Sequence, residues 1–518
     1  MAHAHDNAGP IPCHALLKQI DEAPPQGPGN RRSRGLSRPW RLIKIRCGRN
    51  RTARIRRMEQ SLVFDPDLIA RYDQAGPRYT SYPTAVQFHD RFGPAEYQTV
   101  AAESNASGRP LSLYFHLPFC DTVCFYCACN KVVTKDRSKA GPYLARLHRE
   151  LAMQGALFDR DRPVEQLHWG GGTPTFISHD EMRELMRVTS EHFQLLDGDR
   201  GEYSIEIDPR EATAETVALL REIGFNRMSL GVQDFDSRVQ RAVNRIQTEA
   251  QTLAVLEAAR AEGFRSISID LIYGLPLQSV ASFARTLDRI IEVGPDRLSV
   301  FNYAHLPERF KPQRRINAEE LPAPEEKLEI LRMCGDKLTA AGYAYIGMDH
   351  FARPDDELAV AQRNGTLYRN FQGYSTHAHC DLVGLGITSI GMVGPSYVQN
   401  VRTLDEYYQR IDAGQLPVFR GLVLSRDDQI RRDVITRLIC HFQLDFATVE
   451  QAWGIGFHDY FGAELAALQG MADDGLLKLR ADRIEVLPPG RLLIRNICMV
   501  FDAYLQPAAQ RQNFSRVI

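Results

Sequence analysis

Between residues 109 and 348 the sequence alternates short apolar or β-branched runs with segments of helical periodicity. Four helical segments stop at a glycine that precedes a new strand-like run, and glycine ends a helix readily because it adopts the left-handed conformation. Repeated βα units predict a parallel sheet, either open and doubly wound or curved into a barrel. The glycines are Gly224, Gly263, Gly294 and Gly342. The predicted strands are 111–116, 166–169, 203–207, 227–230, 266–271, 298–303 and 343–348.

Polar residues concentrate where six of these strands end. Parallel βα folds carry their chemistry at the carboxyl ends of the strands, so we predict a functional site at this rim. The rim residues are a cysteine cluster at 120–129, the run 170–174 (Gly-Gly-Gly-Thr-Pro), Glu206 with Asp208, Gln233 with Asp234, Asp270, and the run 302–305 (Asn-Tyr-Ala-His).

The remainder of the chain shows a different pattern. We expect 349–400 to be loop-rich because it holds many glycines and arginines. Helical patterns follow, and then a short β pair, which together resemble a winged-helix layout. A DNA-binding role is one reading, but no basic stripe dominates the segment, so a cap over the barrel mouth is favoured. The predicted helices are 426–442, 446–453 and 458–474, and the β pair is 476–479 with 484–487.

The net charge of −1 hides an uneven distribution. Residues 1–57 carry a net charge of +10, which leaves −11 for 58–518. The basic part lacks apolar periodicity and reads as a disordered arm. A nucleic-acid tail, a transit peptide and a processed leader compete with a dispensable extension ahead of Met58, which we favour.

Four of the ten cysteines, Cys120, Cys124, Cys127 and Cys129, fall within ten residues. A chain of this length needs no disulfide staples, so the cluster predicts metal binding or catalysis. A structural zinc site usually takes four ligands as two separated pairs, whereas these share one loop. Three thiolates spaced Cys-x3-Cys-x2-Cys can hold three irons of a [4Fe–4S] cluster and leave the fourth open. A zinc knuckle or a chance group of buried thiols is the alternative.

This spacing, just after the first strand of a βα series, resembles the radical S-adenosylmethionine (SAM) superfamily. The resemblance implies that the open iron binds the amino and carboxylate groups of SAM, which is cleaved to methionine and a 5′-deoxyadenosyl radical. Cys129 is left open by the spacing, as a fourth ligand, a reactive thiol or an inert one.

The glycines at 170–172 offer backbone N–H groups without side-chain obstruction, which suits a carboxylate or an amino-acid backbone. A tight turn is the alternative, although the superfamily places a glycine-rich segment here to receive the amino group of SAM. Glu206 and Asp270 can each hold ribose hydroxyls. A salt bridge, for instance to Arg245, is the equally weighted alternative for either carboxylate.

Several segments resemble one family of that superfamily, the oxygen-independent coproporphyrinogen III oxidases, over roughly 58–518. The matching segments are 77–85 (Pro-Arg-Tyr-Thr-Ser-Tyr-Pro-Thr-Ala), the cluster loop with Cys129, 167–175, 231–235, 270–276, 301–307, 347–352, 370–374 and 490–498. The resemblance implies a partial (β/α)6 radical SAM barrel with an N-terminal arm and a helical, winged-helix-like C-terminal domain. We therefore divide the chain into a basic extension (1–57), an arm (58–108), a catalytic barrel with its following loop region (109–400) and a mainly helical domain (401–518).

The family resemblance also implies the ligands. They are one [4Fe–4S] cluster on Cys120, Cys124 and Cys127, and two SAM molecules beside it. The cluster-bound SAM matches Tyr114, Gly171, Glu206 and Ile390, and the second matches Tyr126, Gly172, Thr173, Gln233, Arg245, Asp270 and Ala304. At 126 the family often has Phe, and the Tyr here keeps the ring. Cys129 matches a family cysteine that does not bind the cluster but is needed for activity.

The implied reaction is oxidative decarboxylation of two propionates of coproporphyrinogen III to vinyl groups, giving protoporphyrinogen IX in anaerobic haem biosynthesis. We expect a cytoplasmic monomer that receives electrons from a donor and has no membrane span, since no run of 18 apolar residues occurs. A haem-chaperone-like relative is the nearest rival, and Cys129, 78–82 and 302–307 favour the oxidase. A metal-binding protein that contacts nucleic acid is the other rival, and the acidic balance of 58–518 speaks against it.

Overall fold

Six parallel strands form the centre of the fold, and neighbours in the sheet are also neighbours in the chain. The computed structural model describes residues 62–505, so the predicted basic extension lies outside the described residues. Because the strand order does not reverse, successive right-handed crossovers return over the same face and the sheet curves as a partial barrel. The strands are β1 Leu111–Leu117, β2 Pro163–Gly171, β3 Glu202–Ile207, β4 Arg227–Gln233, β5 Ser266–Tyr273 and β6 Arg297–Asn302.

The central sheet continues beyond these six strands at both edges, to thirteen strands in all. At one edge β8 pairs antiparallel with both β6 and β7. At the other, β9 pairs parallel with β1 and is followed by an antiparallel extension. The added strands are β7 Ala344–Gly347, β8 His350–Ala352, β9 Asp381–Leu385, β10 Ile390–Val393, β11 Ser396–Asn400 and β12 Val418–Val423, with Gln194–Leu195 beside β2.

The prediction that 349–400 is loop-rich is wrong. Four strands of the central sheet, β8, β9, β10 and β11, lie there, and every residue of β9 is buried. Strands of three to five residues carry little periodicity of their own. The place of β9, β10 and β11 is decided by the edge of β1 that they complete.

The helices connect the strands and begin and end where local chemistry dictates. In Val280–Val293 the Ser279 hydroxyl accepts an N–H bond from the first turn, and Phe283 and Ile290 pack on the core. The helix ends at Gly294, which is left-handed at φ 65°. All four predicted helix-stopping glycines have positive φ, which confirms that prediction. The helices before residue 413 are Pro66–Tyr72, Pro94–Asn105, Ala140–Gly155, His179–His192, Ala214–Glu222, Ser237–Ala242, Glu249–Ala261, Val280–Val293, Pro324–Ala340, Glu357–Asn364 and Leu404–Asp412.

The C-terminal segment is helical and contains the predicted β pair, to which a third strand that was not predicted is added. The pattern 458–474 is divided at Phe461 into two helices. The helices are Arg426–His441, Phe446–Trp453, Phe457–Tyr460, Gly462–Asp473, Pro488–Leu492 and Ile494–Met499, and the strands are Gln443–Asp445, Leu477–Leu479 and Arg483–Val486. The central sheet itself runs to Val423, so the division at residue 400 remains a prediction.

The segment before the barrel packs on residues 495–502 as well as on the strands. The Tyr79 hydroxyl donates to Asp502 Oδ2 at 3.0 Å, and Arg495 Nε donates to the Pro77 carbonyl at 2.9 Å. Both Tyr79 and Arg495 are buried. These contacts join residues more than 400 apart in sequence. Among helices in the part of the chain that the structure describes, none has the length and apolar character needed to cross a bilayer.

Candidate active site

A cavity of about 260 Å³ opens at the carboxyl ends of the barrel strands, where the sequence predicts the site. Its wall comes from the loop after β1 and from the ends of β2 to β6. The structure therefore brings most of the predicted residues together. Those lining this cavity are Cys120, Cys124, Tyr126, Cys127, Cys129, Gly171, Gly172, Thr173, Glu206, Gln233, Arg245 and Asp270.

The cysteine loop is held against the barrel by one backbone bond and one side-chain bond, both to residues 243–244. Phe125 N–H donates to the Val243 carbonyl at 2.9 Å, and Asn244 Nδ2 donates to the Val123 carbonyl at 2.8 Å. Cys120 lies in the two-residue strand Phe119–Cys120. The loop's conformation is thus fixed by the protein rather than left to a ligand.

Donors from three elements reach two of the predicted cluster thiols. Arg245 Nη1 lies 3.6 Å and Arg210 Nη2 lies 3.7 Å from Cys124 Sγ, and Thr173 Oγ1 lies 3.6 Å from Cys120 Sγ. Positive and hydroxyl donors stabilise a thiolate, which is the form that binds metal. Cys124 is buried, so these contacts also offset the cost of placing charge there.

Cys129 lies beside Cys127. Its hydrogen bond, aided by the positive charge of Lys131, lowers the pKa of the Cys127 thiol to about 5. Burial instead raises the pKa of the Cys120 thiol to about 11.

The thiol spacing tests the zinc alternative. Zn²⁺ binds sulfur at about 2.3 Å, so a tetrahedral ion draws its sulfurs to about 4 Å from one another. Cys120, Cys124 and Cys127 are not among the metal-ligating groups of 62–505 whose ligand atoms all lie within 4.8 Å. The wider spacing and the cationic donors fit a cluster with several irons better than one zinc ion.

The glycine run after β2 provides close approach, not free donors. The N–H group of Gly171 donates to the Glu206 carboxylate. The N–H group of Gly172 donates to the Leu117 carbonyl (2.8 Å), and that of Thr173 donates to the Phe119 carbonyl (2.7 Å). Of the glycines expected to offer free N–H groups to an anion, Gly171 and Gly172 therefore have theirs engaged within the protein. A Cβ on Gly172 would stand 2.6 Å from backbone atoms of the cysteine loop, so only glycine allows the two loops to touch.

Arg245, the example named for the salt-bridge alternative, binds neither Glu206 nor Asp270, whereas Glu206 Oε1 does lie within ion-pair distance of His168 Nε2, at 3.5 Å. Arg245 Nη1 instead pairs with Asp208 at 2.9 Å, and both side chains are buried. Asp208 also binds Arg210 at 2.6 Å. Glu206 and Asp270 line the same cavity as Arg245. Arg245 Nε is buried and has no hydrogen-bond partner. A buried donor of this kind suits a bound ligand that carries an anionic group.

The pKa values of the Glu206 and Asp270 carboxyls are shifted in opposite directions, although both residues line the cavity. Burial alone would raise the pKa of the Glu206 carboxyl, but the hydrogen bond and charge of His168, 3.5 Å away, hold it below its usual value. Burial raises the pKa of the Asp270 carboxyl to about 6, although the Ser229 hydroxyl donates to it at 2.8 Å. One carboxylate is prepared to carry charge and the other resists it.

The raised pKa of Asp270 makes its effect on stability depend on pH. Below about pH 4 the carboxyl is neutral in both folded and unfolded chains, and its favourable contribution is lost as the pH rises through about 6. We expect the free energy of unfolding of Asp270→Asn, relative to that of the wild type, to rise by about 1–3 kcal/mol as the pH is raised from 4.5 to 7. Urea midpoints at a series of pH values measure this. Asp180→Asn, which alters a fully exposed carboxylate, is the control, and a parallel pH dependence for all three chains would contradict the prediction.

A second cavity, of about 240 Å³, shares Glu206 with the first. Tyr114 and Ile390, the other side chains predicted for the cluster-bound SAM, line it, and the Tyr114 hydroxyl lies 3.2 Å from His116 Nδ1. Ala304 lines neither cavity. The Ala304 carbonyl and the Tyr126 carbonyl both accept hydrogen bonds from Gln313 Nε2, which places Ala304 close to Tyr126.

Sequence reasoning missed several residues of the site. Arg210 and Lys131 line the first cavity, and His116 and His168 line the second. The alternation along β1 and β2 places Tyr114 and His116, or His168 and Gly170, on one face, and this was the available signal. Arg210 follows a strand end by three residues and gave no pattern. By contrast, the predicted rim residue Asp234 is buried, and its carboxylate accepts hydrogen bonds from Gln278 and Thr286, so its role is structural.

The barrel and the cysteine loop define the class of this chain, a radical SAM enzyme. Residues 114–290 match the radical SAM superfamily, and residues 424–493 match the HemN C-terminal domain. Membership implies a [4Fe–4S] cluster and SAM.

Comparison over the full length narrows the class. The chain is 58% identical over 461 residues to the oxygen-independent coproporphyrinogen III oxidase of Pseudomonas aeruginosa, covering 89% of this chain and 100% of that one. The Escherichia coli enzyme of the same name is 52% identical over 459 residues, covering 89% and 99%. A solved structure of coproporphyrinogen III oxidase (HemN) from E. coli, titled a radical SAM enzyme, matches with a TM-score of 0.82 at 50% identity, covering 86% of this chain and 100% of that one. The chain belongs to the oxygen-independent coproporphyrinogen III oxidase family and is an oxidoreductase.

Proposed function

We propose that this chain catalyses the oxygen-independent oxidative decarboxylation of two propionate side chains of coproporphyrinogen III to vinyl groups, giving protoporphyrinogen IX in haem biosynthesis. The observation that carries the proposal is the convergence of the three-cysteine loop with Glu206, Asp270 and Arg245 on one cavity. The 58% sequence identity to the P. aeruginosa oxidase, which extends over the whole length of that enzyme, supports the choice of substrate.

The cofactors are assigned to the two adjoining cavities. Cys120, Cys124 and Cys127 hold the [4Fe–4S] cluster through three irons, which leaves one iron for SAM. The wall that Glu206 shares suits one SAM molecule on each side. The proposed partners of the cluster-bound SAM are Tyr114, Gly171, Glu206 and Ile390. The proposed partners of the second are Tyr126, Gly172, Thr173, Gln233, Arg245, Asp270 and Ala304.

Each propionate loses one hydrogen atom, CO₂ and one further electron in the net reaction and becomes a vinyl group. The unactivated C–H bond does not yield to a side-chain base near neutral pH, so the cluster and SAM supply the 5′-deoxyadenosyl radical chemistry for its cleavage. The chain's own residues bind and orient. The bonds that hold the cysteine loop and its contact with Gly172 position the thiols, and the buried Asp208 carboxylate holds the Arg245 guanidinium at the cavity wall.

Cys129 and the arm are proposed to act on the substrate side. Cys129 is exposed and lines the first cavity, which suits a thiol that acts without binding the cluster. Arg78 pairs with Asp349 at 3.0 Å and remains about one-third exposed, so its charge is within reach of an acidic porphyrinogen. Tyr79 is not proposed to contact the substrate, because its ring is buried and its hydroxyl is bonded to Asp502.

We further propose a cytoplasmic monomer that takes electrons from a one-electron donor protein. Each of the eight cysteines in 62–505 is a free thiol, which is typical of a reducing compartment. The first cavity is complete within one chain, so a second subunit is not needed to build it. Neither nucleic acid nor membrane enters this proposal.

An anaerobic assay of cluster-reconstituted protein with SAM, a reductant and coproporphyrinogen III tests the function. We expect protoporphyrinogen IX and 5′-deoxyadenosine to accumulate together. SAM cleavage without decarboxylated product would reject the substrate and point to another radical reaction, including that of a haem-chaperone-like relative.

A further inference from the structure

A second group of metal-ligating side chains lies at the opposite end of the barrel. Glu165, His379 and Cys380 each present one ligand atom, and these atoms all lie within 4.8 Å of one another. His379 Nε2 is 2.6 Å and Cys380 Sγ is 4.0 Å from the same oxygen, Glu165 Oε2. From the geometry we infer a binding site for one divalent cation of the Zn²⁺ type, separate from the cluster loop.

The fold delivers these side chains from two strands that flank β1. Leu111, the first residue of β1, pairs with Val164 on one side and Asp381 on the other, so Glu165 and Cys380 are each one position away. The β1–β2 register shifts between Leu111 and Ser112, and Glu165 is the extra residue. A bulge of this kind re-aims a side chain. Seven residues of β1 separate the group from the cysteine loop, about 20 Å along the strand.

The donor set matches zinc in kind, number and charge. Imidazole, carboxylate and thiolate are its ligands, at about 2.0–2.3 Å, and three protein ligands leave a fourth position for water. Binding requires the Cys380 thiol to release its proton to solvent, after which one thiolate and one carboxylate balance the two charges of the ion. Two ligand atoms at about 2.0 Å from a tetrahedral ion lie about 3.3 Å apart, so the 2.6 Å contact between His379 Nε2 and Glu165 Oε2 opens by about 0.7 Å on binding.

The surroundings hold the group in place and leave a route to it. Arg109 donates to the carbonyls of His379 (2.8 Å) and Ala378 (3.1 Å), which fixes the loop before β9. Arg109 and His379 also line a cavity of about 640 Å³. Cys380 is 2% exposed whereas the His379 side chain is 55% exposed, so the ion has a buried ligand and an open side. A bound ion ties the start of β2 to the start of β9 across β1.

The test uses full-length holoenzyme with its iron–sulfur cluster loaded, so that the loop cysteines are occupied, and Zn²⁺ as the probe. Equilibrium dialysis should give about one zinc per chain. His379→Gln and Glu165→Gln should each weaken binding at least about 100-fold, since even outer-shell changes cost 10–100-fold. His377→Gln is the matched control, because its ring stacks on His379 at 6.0 Å but is not in the group.

Zinc K-edge absorption identifies the ligands independently of affinity. We expect one sulfur near 2.3 Å with nitrogen and oxygen near 2.0 Å. Three sulfurs would place the zinc on vacant cluster thiols and overturn the inference. Equal zinc affinity in wild type and in both ligand variants would overturn it as well, leaving Glu165 and His379 as a surface ion pair. Unchanged iron content in the variants shows that they remain folded.

Discussion

Cys124→Ala is expected to abolish both cluster assembly and product formation. Two of the three proposed cluster ligands remain, and the Arg245 and Arg210 donors lose the sulfur they share. Because the hydrogen-atom chemistry depends on the cofactor, no residual turnover from side chains is expected. Iron and sulfide content, the visible spectrum of the reconstituted protein, and protoporphyrinogen IX and 5′-deoxyadenosine yields measure the effect.

The matched control for this substitution is Cys334→Ala. Cys334 is fully buried in the helix Pro324–Ala340 and lines neither of the two cavities. Its replacement therefore measures the effect of removing a buried thiol that lies outside the cysteine loop. We expect normal iron content and turnover there. A Cys124→Ala protein that kept its cluster and its activity would show that the three-cysteine ligand set is wrong.

Gly172→Ala is expected to give the second largest loss, about 100-fold in turnover with the cluster retained. The added Cβ would stand 2.6 Å from the Phe119 oxygen and from the Pro118 carbonyl carbon, and both atoms are backbone. The cysteine loop must therefore move by a fraction of an ångström to about 1 Å. Displacements of that size cost about 100-fold in rate when reacting groups must be aligned.

The readouts separate misplacement from unfolding. We expect iron content near wild type, a modest fall in thermal midpoint from local crowding, and a large fall in 5′-deoxyadenosine formation. Gly141→Ala is the control, since a Cβ there meets nothing within 4 Å and favours the helix Ala140–Gly155. Turnover of Gly172→Ala equal to that control would refute the steric role of the glycine contact.

Much of the fold followed from local sequence. All seven predicted strands, 111–116 through 343–348, lie on strands of the structure, and the helix ends at Gly263 and Gly294 have positive φ. Apolar periodicity and glycine placement are properties of a few consecutive residues, so they remain legible without the partner. The strands after residue 380 were missed because they are short, and β9 is a strand only because β1 offers it an open edge.

The candidate site divides in the same way. The spacing of Cys120, Cys124 and Cys127 and the place of Glu206 and Asp270 at strand ends were available from the sequence, as was the prediction that they share one rim. Which groups pair within that rim was not. Arg245 selects Asp208, and the amides of the glycine run bind within the protein, because these choices depend on distance and burial between separate βα units.

The sequence alone therefore determined the βα order, the cluster spacing and the family resemblance, all of which depend on residue type at fixed local intervals. Only the tertiary structure decided the partner of Arg245, the contact that requires Gly172, and the meeting of Glu165 with His379 and Cys380. These contacts join residues 37 to 215 positions apart. Their formation is fixed by sheet register and by the cost of burying an unpaired polar group, and neither is written in any short stretch of sequence.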